Sequence, residues 1–124
     1  MKLRIRGSTL RLRVSKPELA ELVTRGWVED ACRFAPGSTL SYRLEVGTAD
    51  RFLAEFARDR VRVRAPRAAV TRWARDDEVA MSAEQPLGGG ESLAILVEKD
   101  FECLKHKAGE DESNLFANPA KHDG

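Results

Sequence analysis

The sequence predicts an α+β domain made of a duplicated strand–strand–helix–strand–strand unit with pseudo-twofold symmetry, its mostly antiparallel strands forming either a closed barrel-like sheet or two sheets around one core, with a short helix capping each end. Three observations carry this. Apolar and charged residues alternate on both sides of Gly7-Ser8, which marks a hairpin. Ser15-Lys16-Pro17-Glu18 follows at once and opens a helix. The same succession of patterns then returns 51 residues downstream.

The first hairpin covers Met1 to Ser15. Leu3 and Ile5 alternate with Lys2, Arg4 and Arg6, and Leu10, Leu12 and Val14 alternate with Arg11 and Arg13. One face is aliphatic and the other cationic. The helix over Lys16–Arg25 has Ser15 as N-cap, Glu18 as the capping-box carboxylate, an apolar stripe of Leu19, Leu22 and Val23, and Gly26 as C-cap. Trp27 to Phe34 reads as a strand interrupted by Asp30, and Ala35-Pro36-Gly37 as a turn. Leu40, Tyr42, Leu44 and Val46 then alternate with Ser41, Arg43 and Glu45.

After a linker at Gly47 to Asp50 the pattern recurs. Phe52, Ala54 and Phe56 precede an Arg58-Asp59-Arg60 turn region, and Val61, Val63 and Ala65 alternate with Arg60, Arg62 and Arg64. Pro66 suits the first turn of a second helix over Arg67–Arg75, with Val70 and Trp73 inward and Asp76-Asp77 ending it. Val79, Met81 and Ala83 form a strand, Pro86 to Gly90 a loop, and Leu93, Ile95 and Val97 the last strand. An ungapped offset of 51 places Leu3 on Ala54, Ile5 on Phe56, Leu22 on Trp73, Val28 on Val79, Gly37 on Gly88, and Leu44 on Ile95. The expected core is Leu3, Ile5, Leu12, Leu19, Leu22, Phe34, Leu44, Phe56, Val63, Val70, Trp73, Ile95 and Val97. One domain over residues 1–100, with repeats at about 1–49 and 52–100, is followed by an acidic tail at 101–124.

The composition fits a packed core: 42% of the 124 residues are hydrophobic and only two are cysteine. With no secretory pattern at the start and no stretch near the ~18 apolar residues of a membrane span, a cytoplasmic protein with reduced thiols is expected, with no membrane partner. The net charge of +1 conceals an asymmetry. Residues 1–75 carry 17 Lys/Arg against 8 Asp/Glu, and residues 76–124 carry 4 against 12. The two parts are expected to neutralise each other in the fold, solvated charge being the commonest role of such runs.

The opening MKLRIRGSTLRLR, the SAEQ at Ser82 to Gln85, and the closing EKDFECL followed by GEDES and NP are similar to a family of short bacterial proteins of unknown function, DUF7009. The resemblance covers nearly the whole chain. It implies that the acidic tail is an integral part of the protein, and it implies no activity.

The residues themselves offer little chemistry. Both histidines, His106 and His122, lie in the tail, and no base is placed beside a nucleophile, so no catalytic residue is assigned. Cys103 and His106 have the spacing of a metal half-site without a second matched pair, so no metal or other cofactor is expected. Gly88-Gly89-Gly90 lacks the Lys-Ser/Thr and strand-to-helix setting of a phosphate cradle and reads as a strand connection. Concentrated chemistry occurs only in the arginines. Arg4, Arg6, Arg11 and Arg13 share one hairpin face, and Arg60, Arg62 and Arg64 occupy the matched strand of the second copy. Their planar forks suit carboxylates and phosphates. The sequence therefore points to a non-enzymatic binding domain for a protein partner or an anionic ligand. A nucleic-acid-binding protein using the arginine faces is the second reading, although aromatics are not interleaved with the arginines. A metal protein or enzyme using the tail cysteine, histidine and carboxylates is the third.

Overall fold

The computed structural model describes residues 1–75 and 77–100. The elements run β1 (Lys2–Arg6), β2 (Thr9–Val14), α1 (Lys16–Arg25), β3 (Trp27–Ala35), β4 (Ser38–Gly47), β5 (Leu53–Ala57), β6 (Arg60–Pro66), α2 (Arg67–Arg75), β7 (Ala80–Gly88) and β8 (Glu91–Lys99). Two four-stranded sheets form, β1-β2-β8-β7 (sheet A) and β3-β4-β6-β5 (sheet B). The strands therefore make two layers and no closed barrel. All four hairpins are antiparallel, while the two central pairings, β2 with β8 and β4 with β6, are parallel.

Each repeat gives its first hairpin to one sheet and its second to the other. Neither repeat completes a sheet alone, because an isolated two-stranded hairpin is marginal in water. The helices are the connections that carry the chain between sheets. They lie against each other at one end of the sandwich, not one at each end as the pattern suggests, with α1 on β3 and β4 and α2 on β4, β6 and β7. α1 starts on a complete capping box, Ser15 with Glu18, and stops at Gly26, whose φ of 97° completes the left-handed cap.

The duplication holds, but its offset is not constant. β1, β2 and α1 match the second copy at 51 residues, since Leu3 pairs with Leu12 as Ala54 pairs with Val63. The second hairpins match at 53. Trp27 pairs with Glu45 as Ala80 pairs with Glu98, and the irregularities at Phe34 and Leu87 coincide. Two extra residues therefore lie between α2 and β7. Leu44 corresponds to Val97 rather than Ile95, Gly37 to Gly90 rather than Gly88, and Val28 to Met81 rather than Val79. With these offsets even the central parallel register is the same, Thr9 opposite Ala94 and Arg60 opposite Ser41. An insertion of two preserves the strand period, so the alternation alone fits either alignment.

One core fills the space between the sheets, with Leu12, Leu22, Leu44, Val63, Trp73, Ile95 and Val97 fully buried. Val70 is buried beside them, and Leu3 and Leu19 pack against it partly covered. Three residues expected inside are outside: Ile5, Phe34 and Phe56 are 61%, 70% and 66% exposed. Their parity is inward, but they stand next to the hairpin turns, and the helices close only the opposite end of the sandwich. Two boundaries also differ. Pro66 ends β6 and the helix starts at Arg67. Pro86 lies within β7, which is tolerated because β7 is an edge strand and a proline there removes no ladder bond from a second neighbour.

Side-chain bonds tie the two layers along both edges. The Gln85 amide pairs with the Ala54 backbone like a strand residue, accepting at 2.7 Å and donating at 3.0 Å. On the other edge the Tyr42 hydroxyl donates to the Met1 carbonyl at 3.1 Å. The Met1 ammonium meets Glu18 and lies 3.3 Å from Asp30, which accounts for a charge within β3.

Candidate functional site

The outward faces of the two sheets carry the arginines, because period-two strands that bury Leu10, Leu12 and Val14, or Val61, Val63 and Ala65, point the alternate residues at solvent. Corresponding positions on the two faces permit a direct comparison.

On sheet B the arginines are surrounded by carboxylates. Glu45 reaches Arg64 at 2.9 Å, Arg43 at 3.4 Å and Arg62 at 3.7 Å. Glu55 lies 3.5 Å from both Arg62 and Arg64. Glu29 accepts from Arg43 at 2.8 Å and sits 3.6 Å from Arg60. The hydrogen bond that Arg43 donates to Glu29, with a second to Glu45, outweighs partial burial and raises the Arg43 pKa above its ordinary value. Trp27 is clasped between Arg25 and Arg43, their guanidinium carbons 3.9 and 4.1 Å from the ring centroid.

Sheet A repeats the central part of this lattice. Glu98, the counterpart of Glu45, lies 3.3 Å from Arg13 and 3.8 Å from Arg11. Even the imperfection is repeated: the buried Nε atoms of Arg11 and Arg62, which correspond, both lack a hydrogen-bond partner. The flanking strands differ. Arg4 stands where sheet B has Glu55, and Ser82 where it has Glu29. Arg4 is directly opposite Arg11, and Lys2 opposite Arg13, in the β1–β2 ladder. Lys2 has a partner in Asp100 at 3.1 Å. Among the described residues Arg4 and Arg6 have none. A depression of about 250 Å³ lined by Lys2, Leu3, Arg4, Arg11 and Arg13 opens on this face.

The seven arginines singled out in the sequence thus divide. Arg60, Arg62 and Arg64 are committed to carboxylates of their own sheet, Arg11 and Arg13 share one carboxylate, and Arg4 and Arg6 have no ion-pair partner among the described residues. Among the described residues the neutralisation of sheet B comes from Glu29, Glu45 and Glu55 within the basic part of the chain. Among the described residues Glu78, 3.5 Å from Arg72, and Glu98 and Asp100 are the acidic-half residues that act as expected. Cys103 and His106, and the tail as a whole, lie outside the described residues. Among the described residues no group of three or more His, Cys, Asp or Glu is placed to hold a metal ion, and no helix is long and apolar enough to cross a membrane.

A second surface was not anticipated. At the end bearing the hairpin turns, an open apolar groove of about 490 Å³ runs between the sheets, lined by Ile5, Leu10, Leu40, Phe56, Leu87 and Leu93 among others. Its lining follows the internal symmetry: Ile5 corresponds to Phe56, Leu10 to Val61, and Leu40 to Leu93. The available sequence signal was position, since Ile5, Phe34, Phe56 and Leu87 all lie within two residues of a turn.

A two-layer α+β sandwich with a swapped internal duplication, bearing one neutralised and one cationic face, is the class these features define. The chain belongs to a family of unknown function (DUF7009), whose family model matches residues 1–120. No curated protein and no solved structure matches it.

Proposed function

We propose that the protein is a non-catalytic binding domain that holds an extended acidic segment of a partner protein on the outer face of sheet A. The observation that carries this is the contrast between the two copies. Sheet B sets Glu29, Glu45 and Glu55 among Arg43, Arg60, Arg62 and Arg64, and sheet A has Arg4 in place of Glu55 and Ser82 in place of Glu29. Like charges directly opposite in a ladder are destabilising, so Arg4 beside Arg11 works against the fold and for a ligand.

Spacing favours an extended peptide. Alternate residues of a strand lie roughly 7 Å apart, so the rows Lys2-Arg4-Arg6 and Arg11-Arg13 match carboxylates on alternate residues of an extended chain. The outward residues of this face include no aromatic ring on which nucleic-acid bases would stack. Arginine supplies the bidentate fork that carboxylates accept.

The test is binding of a fluorescent oligo-glutamate peptide, with a single-stranded oligonucleotide as comparison. The wild type should bind the peptide, and salt should weaken binding as exposed charges are screened beyond roughly 8–10 Å. Arg4→Glu should weaken it on the order of tenfold, a loss of ~1.4 kcal/mol. Glu55→Arg should strengthen it by opening the second face. Equal binding by wild type and Arg4→Glu overturns the site. Binding of the oligonucleotide without the peptide overturns the acidic partner in favour of nucleic acid.

A further inference from the structure

We infer that the apolar groove at the hairpin end is a homodimer interface, closed by the same groove of a second copy. Four large apolar side chains stand in water there: Ile5, Phe34 and Phe56 as given above, and Leu87 at 53% exposure. Phe34 and Leu87 correspond at the 53-residue offset, as Ile5 and Phe56 do at 51, so both repeats keep bulky apolar residues at the uncovered end. Polar residues beside a turn would serve a solvated tip equally well, and Arg6, Arg33 and Glu84 show that this end accepts them.

Area and charge both indicate a second copy as the occupant. A phenylalanine buries ~150–250 Å². Phe56 in the groove lining and Phe34 outside it at the same turn-bearing end are each about two-thirds exposed; with Ile5, Leu87 and the groove floor they offer apolar surface on the order of 500 Å². A standard interface takes ~800 Å² from each partner, and homodimer interfaces are about 65% apolar, which requires the same amount. The rim is charged at both ends. The sheet B end carries Arg33, Arg58 and Asp59, the sheet A end carries Arg6 and Glu91, and among the described residues none of the five has an ion-pair partner. A twofold axis that stacks the sheet A end of one copy over the sheet B end of the other brings Glu91 toward Arg58 twice, as an isologous contact demands. The Arg58 backbone adds a separate sign. It adopts φ 55°, a left-handed conformation unfavourable to a bulky residue, at the turn where the first copy uses Gly7.

Sedimentation equilibrium of the full chain at about 100 µM should give twice the 13.8 kDa chain mass. Phe56→Glu, at an exposed position outside the core, should give the monomer mass with an unchanged circular dichroism spectrum. Arg58→Glu and Glu91→Arg should each weaken dimerisation on the order of tenfold, and the double variant should regain most of it, the fold-change expected when reversing both partners restores a pair. A wild-type monomer overturns the inference. Dimerisation only after removal of residues 101–124 would also overturn it, because the chain's own tail would then fill the groove. Dimerisation that survives Phe56→Glu places the interface elsewhere. These outcomes are independent of peptide binding at sheet A.

Discussion

Arg4 and Glu55 occupy equivalent places in the two copies and have opposite charges. Glu55 lies between Arg62 and Arg64, and Arg4 faces Arg11 across the ladder. The Arg4→Glu variant should therefore do two things at once. It should weaken capture of an acidic peptide, and it should raise stability by roughly 0.2–1 kcal/mol, the range for replacing a like-charged cross-strand pair with an opposite one. Urea melts measure the second effect. A binding loss accompanied by a stability loss would mean that Arg4 supports the fold instead. Such a trade-off is common where a surface is kept for function at some cost to stability.

At the scale of the elements, turn chemistry and helix capping matter most. The first hairpin turns on Gly7, while its counterpart places Arg58 at φ 55° and Asp59 at φ 62°. Holding a residue other than glycine in the left-handed region costs ~1–2 kcal/mol. Arg58→Gly should accordingly stabilise the monomer by about 1 kcal/mol, read in denaturant melts. At α1 the Glu18 carboxylate is partly buried, which favours its neutral form. The Met1 ammonium and the Ser15 N–H and hydroxyl outweigh that burial and hold its pKa below the ordinary 4.5. The unfolded chain thus takes up this proton at a higher pH than the folded one. The stabilisation is complete above the ordinary carboxylate range and is lost as pH falls through the folded value. Glu18→Gln keeps a capping side chain but does not titrate, so its melting temperature should fall less than that of the wild type below about pH 4.5.

For the whole molecule the decisive feature is that each repeat contributes to both sheets. Residues 1–50 contain β1, β2, α1, β3 and β4 but neither of their parallel partners, and their buried faces include Leu12 and Leu44 with nothing to cover them. Separate peptides 1–50 and 51–100 should each lack the amide dispersion of a folded protein in NMR spectra, and mixing them should restore it. Independent folding of either peptide would show that the repeats are autonomous and the swapped sheets secondary. The same arrangement places the cationic face, the neutralised face and the apolar groove on three separate sides, so charge substitutions on sheet A leave the groove intact.

The sequence by itself determined the elements and their inward faces. Both helices and all eight strands follow from local rules: the cap at Ser15, turn residues at Gly7 and Gly37, and an alternation that must bury one face. The duplication was legible for the same reason, since repeated pattern is a local property read twice. The two-residue insertion before β7 was not, because a shift of two leaves strand parity unchanged, and it surfaced only when pairing registers were compared. Three further matters belonged to the tertiary structure alone. Partner choice between hairpins decided for two mixed sheets over a barrel, since alternation does not specify which strand lies alongside. Coverage decided the fate of Ile5, Phe34 and Phe56, whose parity is right but whose end of the sandwich neither α1 nor α2 covers. Proximity decided which arginines meet a carboxylate among the described residues: Glu45 with Arg64, and Glu98 with Arg13, are 19 and 85 residues apart in the chain, and charges meet across a sheet according to strand order, not sequence distance.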